Sequence, residues 1–338
     1  MDFSANELGA PSPDVLEAAS SSLTPLAQWK LRDVLISVGL LAALRVAAFF
    51  ADRLHGWTPS WALLLLAMIL PQLFLFAWPM LLLRRRGETL ADRRPRREGW
   101  LLELMLGVVL AGGMLIVVIA AGNLLKWLAP DTSLRSQEIA ESVLGGPWYK
   151  LLLLLLFASV VAPICEETFF RGFLYDALRQ RLPLVWAIVL QAVVFGAVHT
   201  FGAVHSVLVA GVAVVLALLY QWRQTLITPM IAHSVFNSVQ ILLLISLKMA
   251  LLLAPYLGVE GKRHDDGFQV VQVAADSPAE KAGILAGDLI TAIGEEPVKG
   301  FLDVQVQLLR LKPGDEITIH LLRDGEAKIV TAILGKRP

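Results

Sequence analysis

Glu166-Glu167-Thr168-Phe169-Phe170-Arg171 closes an apolar run that begins at Trp148 and reaches Ile164. Three ionisable side chains in six positions follow a stretch that otherwise reads as membrane-embedded. An ionisable residue at bilayer depth costs at least ~2.5–3.5 kcal/mol even on lenient insertion scales, so it reads as functional by default. The rest of the chain is organised around this conflict.

The composition agrees with a membrane setting. Of 338 residues, 56% are hydrophobic and 17% charged, and the mean hydropathy is +0.65. A soluble domain carries about 25% charged residues. Residues 1–254 hold 19 Lys and Arg against 16 Asp and Glu, and residues 255–338 hold 10 against 13. Neither balance indicates a nucleic-acid partner. The single cysteine, Cys165, excludes an intramolecular disulfide and a cysteine-based zinc site. The first 30 residues are polar and contain Asp2, Glu7, Asp14 and Glu17, so no cleavable signal peptide is expected.

A span needs roughly 20 mostly apolar residues. Seven stretches qualify, at about 33–51, 60–83, 100–128, 148–170, 184–200, 204–222 and 226–254. The expected fold class is a polytopic all-α membrane domain of about seven transmembrane helices followed by a small α+β domain. Residues 1–32 form a polar N-terminal segment, 33–254 the membrane domain and 255–338 the tail. Between the second and third spans, residues 84–97 include seven arginines, which the positive-inside rule places in the cytoplasm. Alternation puts the N-terminus, Lys30, Arg32, Arg179, Arg181 and Arg223 on that side. The loop with Asp131, Glu138 and Glu141, and everything after Pro255, falls outside the cytoplasm.

From Pro255 the period changes. Gly267–Val273 and Glu316–Leu321 alternate as half-buried strands do, with turn signals at Ser277-Pro278, Gly287-Asp288, Lys312-Pro313-Gly314-Asp315 and Asp324-Gly325. Tyr256-Leu257-Gly258-Val259, Ser277-Pro278-Ala279-Glu280-Lys281-Ala282-Gly283-Ile284 and Gly287–Gly294 together resemble a PDZ domain of the bacterial protease-associated kind. The resemblance implies that Tyr256, Leu257, Gly258 and Val259 bind a peptide's C-terminal carboxylate through backbone N–H groups. The peptide would add as a strand, with a helix around Leu302–Arg310 as the second wall. Ala254-Pro255-Tyr256 leaves no linker, which sets this groove close to the membrane surface.

Three i,i+4 pairs carry the candidate chemistry, each on one helix face: Glu167 with Arg171, Phe195 with His199, and His233 with Asn237. With the turn at Leu182-Pro183, Glu166 lies about 16 residues before it and His199 about 16 after. Both are then roughly 25 Å along antiparallel helices from the same turn and can face each other. The two glutamates point about 100° apart. Glu167 has a built-in partner in Arg171 at i,i+4, whereas Glu166 has no such partner nearby in sequence. Glu166 is therefore the carboxylate suited to take a proton from water. His233 and Asn237 could donate to an oxyanion. Two histidines and a carboxylate could equally bind Zn²⁺ with water in the fourth position, and sequence leaves both mechanisms open. Phe195–His199 recurs as Phe201–His205, but six residues turn a helix by about 240°, so one copy faces away. His199 is preferred because it is level with Glu166. Arg45 and Lys248, near span ends, can snorkel and are assigned no chemistry.

Glu-Glu-x-x-x-Arg, Phe-x-x-x-His and His-x-x-x-Asn on separate membrane helices resemble the CAAX-processing and bacteriocin-immunity (CPBP, or Abi) intramembrane protease family, from about Val143 to Gln240. The resemblance implies that Glu166 and His199 activate water, that His233 and Asn237 form the oxyanion hole, and that Glu167 and Arg171 support them. It favours a mechanism without cofactor, with zinc on Glu166, His199 and His233 as the alternative. The implied partners are a membrane-associated peptide or protein substrate, a C-terminal peptide on the PDZ domain, and the bilayer. CAAX processing in the strict sense needs a prenylated substrate. The family also contains immunity proteins, so a non-catalytic adaptor working through its PDZ domain is the second reading. The fused PDZ domain departs from the commonest family architecture, and no His-Glu-x-x-His accompanies it.

Overall fold

A computed structural model describes residues 29–53, 61–90, 99–128, 144, 147–199 and 203–336. The polar segment before Trp29, the basic cluster from Arg93 to Arg97, the acidic loop with Asp131, Glu138 and Glu141, and Phe201-Gly202 lie outside the described residues. The helical region comprises α1 (Leu31–Arg53), α2 (Trp61–Arg84), α3 (Trp100–Leu128), α4 (from Trp148 to Arg179), α5 (Leu184–Val198), α6 (Ala203–Arg223) and α7 (Ile227–Leu253). Among the described residues, four stretches are long and apolar enough to cross a membrane: Trp100–Leu125, Leu151–Arg179, Ala203–Arg223 and Ile227–Leu253. The apolar stretches Ile69–Arg84 and Leu184–Val198 are shorter. The 15 residues of α5 rise only about 22 Å, against a hydrocarbon core of about 30 Å. Helix α1, with Asp33, Arg45, Asp52 and Arg53, is not among the four.

The exposed apolar faces mark a membrane protein. Helix α3 presents Met105, Val109, Ile116, Val117 and Ile119 outward, each at least 57% exposed. Trp100 and Trp127 stand exposed near its two ends, at 69% and 78%. Their separation along the helix is about 40 Å, close to the thickness of a bilayer with its interfaces, where tryptophan concentrates.

The chain divides into two compact units. One contains Met1–Leu106, Ile164–Val198 and Val209–Met230; the other contains Gly107–Pro163, His199–Leu208 and Ile231–Pro338. The first is centred on an aromatic cluster. Phe169, Phe170 and Phe173 are fully buried. Phe170 meets Phe195 edge-on at 4.7 Å between ring centroids, and Phe173 meets Trp29 in the same way at 4.7 Å. Such edge-to-face pairs add to area burial by placing a positive ring edge on a negative face. Charged groups at the margins are paired: Arg86 Nη2 donates to Asp33 Oδ2 at 2.9 Å, and Arg223 Nη2 to Glu103 Oε1 at 2.6 Å. The Thr228 hydroxyl also donates to Glu103.

In the second unit α3 passes close to α7 at Gly107. A Cβ there would lie 2.5 Å from Ile231 Cγ2, so the approach requires glycine. Lys248 does not snorkel. It is buried, its Nζ donates to the Leu144 carbonyl at 2.6 Å, and it lies over the Trp148 ring at 5.4 Å. Helix α7 continues beyond it to Leu253, so the ammonium is not at a helix end and is satisfied inside the protein.

The C-terminal domain is a sheet of β1 (Val259–His264), β2 (Gly267–Val273), β3 (Leu289–Ile293), β5 (Glu316–Arg323) and β6 (Glu326–Ile333) in the order β1-β2-β3-β5-β6, with β4 (Glu296–Pro297) on β3. Every pairing is antiparallel. Helices α8 (Pro278–Lys281) and α9 (Phe301–Leu308) complete it. The alternation in β5 buries Ile317, Ile319 and Leu321 beside Phe268, Val270 and Ile290. A buried carboxylate ties the edges of this core. Asp288 accepts from Arg323 Nε and Nη2, both at 2.7 Å, and from the Leu285 N–H at 2.9 Å. Burial pushes the Asp288 carboxyl up, but the Arg323 hydrogen bonds, the Leu285 amide and the Arg323 and Lys328 charges outweigh it and hold the group below the usual carboxylate range. A depressed folded value means the contribution is complete above the unfolded value, near about 3.9, and is lost as pH falls through the lower folded one. Thermal unfolding of the full chain should therefore show this domain losing stability below about pH 4. Asp288→Asn should lower its midpoint by several degrees at pH 7 and remove that part of the acid dependence.

Candidate active site

The apolar run predicted to hold the reactive carboxylate is a single helix interrupted twice. Helix α4 is α-helical over Trp148–Leu156, widens into a π turn over Phe157–Val161, returns over Ala162–Phe169, and widens again over Phe170–Tyr175 before Asp176–Arg179. Single π turns inside α-helices concentrate at functional sites. Glu166 and Glu167 lie between the two.

Within the first unit Glu166, Glu167 and Arg171 are all buried, at 6%, 0% and 0% exposure. Arg171 Nη1 donates to Glu167 Oε1 at 2.9 Å, the contact that the i,i+4 spacing predicts. Arg171 Nη2 donates to the Ala213 carbonyl of α6 at 3.1 Å, and the guanidinium lies over the Phe195 ring at 4.9 Å. Gln191 Nε2 of α5 donates to that same carbonyl at 3.1 Å. One backbone oxygen therefore collects donors from α4 and α5. Glu166 is turned differently: its Oε1 accepts from Gln72 Nε2 of α2 at 3.0 Å. The sequence shows no nearby partner for Glu166; the fold supplies a neutral amide 94 positions earlier in the chain.

Two residues of this group, Gln72 and Gln191, are not among those the motifs single out. Gln191, Phe195 and His199 share an i,i+4,i+8 spacing, and Gln72 follows Pro71 in an otherwise apolar stretch. A lone polar side chain in such a stretch is the available signal.

In the second unit His199 lies immediately past the end of α5, which stops at Val198, and is half-buried. Its backbone carbonyl accepts from the Ser206 hydroxyl at 3.2 Å. His233 is buried at 5% exposure on α7, and Asn237 is half-buried one turn later. Asn237 Nδ2 donates to the Ala158 carbonyl at 2.8 Å, inside the first π turn. Among the described residues, no group of three or more His, Cys, Asp and Glu side chains could hold a metal ion.

On the C-terminal domain, residues Tyr256 to Val259 lead into β1. Gly258 adopts φ +90°, and a Cβ there would lie 2.2 Å from Ser277 Cβ. The Leu257 carbonyl accepts from the Ala279 N–H at 2.8 Å and the Gly258 carbonyl from the Ala274 N–H at 2.9 Å. Tyr256 bridges to Gly335, and Val259 opens β1, which is an edge strand with α9 packed against it. An edge strand beside a helix is the geometry that accepts an added peptide strand. A cleft of about 570 Å³ lined by Tyr256, Ser277, Pro278, Lys281, Thr331 and Ile333 lies instead at the opposite, β6 edge.

Residues 148–239 match the family model described as Type II CAAX prenyl endopeptidase Rce1-like, and residues 255–334 match the PDZ domain. The chain thus joins an Rce1-like CAAX-protease domain to a C-terminal PDZ domain. It is 40% identical over 82 residues to Serine protease Do-like HtrB of Bacillus subtilis, covering 24% of this chain and 18% of that protein. It is 48% identical over 63 residues to a Mesorhizobium japonicum protein named "Putative zinc metalloprotease", covering 19% of this chain and 17% of the other. The chain therefore spans less than a fifth of the length of these curated relatives. Among solved structures, the HtrA-type protease AlgW with decapeptide is 28% identical at a TM-score of 0.25, covering 28% of this chain and 35% of that one.

The buried pair makes a direct prediction. Removing one partner of a buried ion pair typically costs about 3–5 kcal/mol, because the other charge is stranded. Arg171→Met should therefore lower the thermal midpoint more than Glu167→Gln with Arg171→Met together. Equal losses for the single and double variants would remove the pair from its structural role.

Proposed function

We propose that the chain is a membrane endopeptidase that hydrolyses a peptide bond near or within the bilayer, on a substrate that its PDZ domain recruits or gates. The observation that carries this reading is the extent of the Rce1-like match, since residues 148–239 enclose Glu166, Glu167, Arg171, His199, His233 and Asn237. Glu166, with His199 as its partner in this step, takes a proton from water as the oxygen adds to the scissile carbonyl. His233 and Asn237 donate to the oxyanion that forms. The proton then passes to the departing amine as the C–N bond breaks. Glu167, held by Arg171, supports the site. Two relatives, matched over 82 and 63 residues, are named as a serine protease and a zinc metalloprotease.

The accompanying topology is seven spans, the N-terminus and the arginine-rich loop cytoplasmic and the PDZ domain outside, following the distribution of Arg and Lys. Its groove would hold an extended C-terminal peptide close to the membrane surface.

The test compares protein termini in membranes of cells expressing the wild type, Glu166→Gln, or a chain lacking residues 255–338. New termini beside membrane segments should appear with the wild type, vanish with Glu166→Gln, and be reduced at least severalfold by the truncation. Identical termini in the wild type and Glu166→Gln would refute the assignment.

A further inference from the structure

We infer that Asn237 and Pro163 form a clasp that holds the first π turn of α4 and thereby sets the face on which the two glutamates stand. The hydrogen-bond ladder requires something of this kind. The Ala162 N–H reaches back five residues to the Phe157 carbonyl. In a regular α-helix it would serve Ala158. With the ladder shifted by one, the next donor due to Ala158 is residue 163, which is proline and has no N–H. The Ala158 carbonyl is therefore orphaned by the chain itself. Asn237 Nδ2 stands in for the missing donor at 2.8 Å. Proline also accounts for the widening, because its ring would collide with the carbonyl four residues earlier, that of Ser159, in a regular helix.

The consequence is rotational. A π turn adds one residue, so everything beyond it is turned by about 100° relative to an unbroken helix. Without the turn, Cys165 would face where Glu166 now does, and Glu166 would take the direction of Glu167. Asn237, on α7, is thus a positioning residue for α4. An amide nitrogen carries two protons, so its second N–H remains for the oxyanion role. The clasp rests on the backbone ladder and the Asn237 contact alone; only its bearing on catalysis rests on the assignment of Glu166 above.

Four full-length proteins test it: the wild type, Asn237→Ala, Pro163→Ala and the double variant, each followed by thermal unfolding and by hydrogen exchange. Alanine at 163 restores an N–H, so Ala158 is satisfied within α4 with or without Asn237. Asn237→Ala should lower the midpoint by several degrees in the wild-type background and by less than half as much in the Pro163→Ala background. Exchange over residues 157–164 should rise at least tenfold in Asn237→Ala and recover in the double variant, with the β-strands after Val259 unchanged. Should Asn237→Ala fail to fold, a double variant that folds supports the clasp equally, because alanine at 163 has then replaced the lost donor. Equal losses in both backgrounds, uniform exchange, or failure of the double variant to fold would overturn the clasp. None of these readouts requires cleavage, so the outcome stands whatever becomes of the proposed activity.

Discussion

The arrangement of α4 depends on one constraint: charge inside an apolar stretch must be satisfied by the protein. Arg171 meets it three ways, through Glu167 on its own helix, the Ala213 carbonyl on α6 and the face of Phe195 on α5. A guanidinium suits this position because its donors point in several fixed directions and its flat face can stack on a ring. Lysine would offer one point charge. Glu167 is engaged in this way, while the adjacent Glu166 accepts from a neutral amide, that of Gln72.

The same requirement governs the backbone. Pro163 removes a donor, the helix widens, and a side chain from α7 takes the orphaned carbonyl. At the other end of the chain the pattern recurs in soluble form. Gly258 turns where no side chain fits, and its carbonyl and that of Leu257 are taken by N–H groups just before and within α8. Asp288 is buried only because Arg323 and the Leu285 amide surround it.

Much of this is legible in the chain. The i,i+4 spacing of Glu167 and Arg171 is a local relation and survives in the structure. The alternation after Pro255 marks β2 as Gly267–Val273 and places β5 to within two residues at its end. What is not legible comes from distant positions. Gln72 meets Glu166 across 94 residues, Gln191 shares a carbonyl with Arg171, and Glu103 pairs with Arg223 across 120. No periodicity announces such contacts. Proximity to a span end allows Lys248 an escape to water, but a nearby carbonyl satisfies it instead. Span lengths are a related case: hydrophobic content does not fix helix length, and α5 has 15 residues where the sequence marks about 184–200. Pro163 is visible as a proline inside a helical pattern, but its partner lies on another helix.

The central claim is the division of labour between adjacent glutamates, and the most direct measurement places Glu166→Gln and Glu167→Gln side by side. Each purified protein would be assayed for its thermal midpoint and for cleavage of a membrane peptide that the wild type cuts. Glu166→Gln should keep a midpoint within about 2 °C of wild type and lose cleavage by at least 100-fold, on the order of what a positioned general base contributes. Glu167→Gln should show a clearly lowered midpoint. A Glu166→Gln protein that cleaves at the wild-type rate, or a Glu167→Gln protein as stable as wild type, would contradict the account.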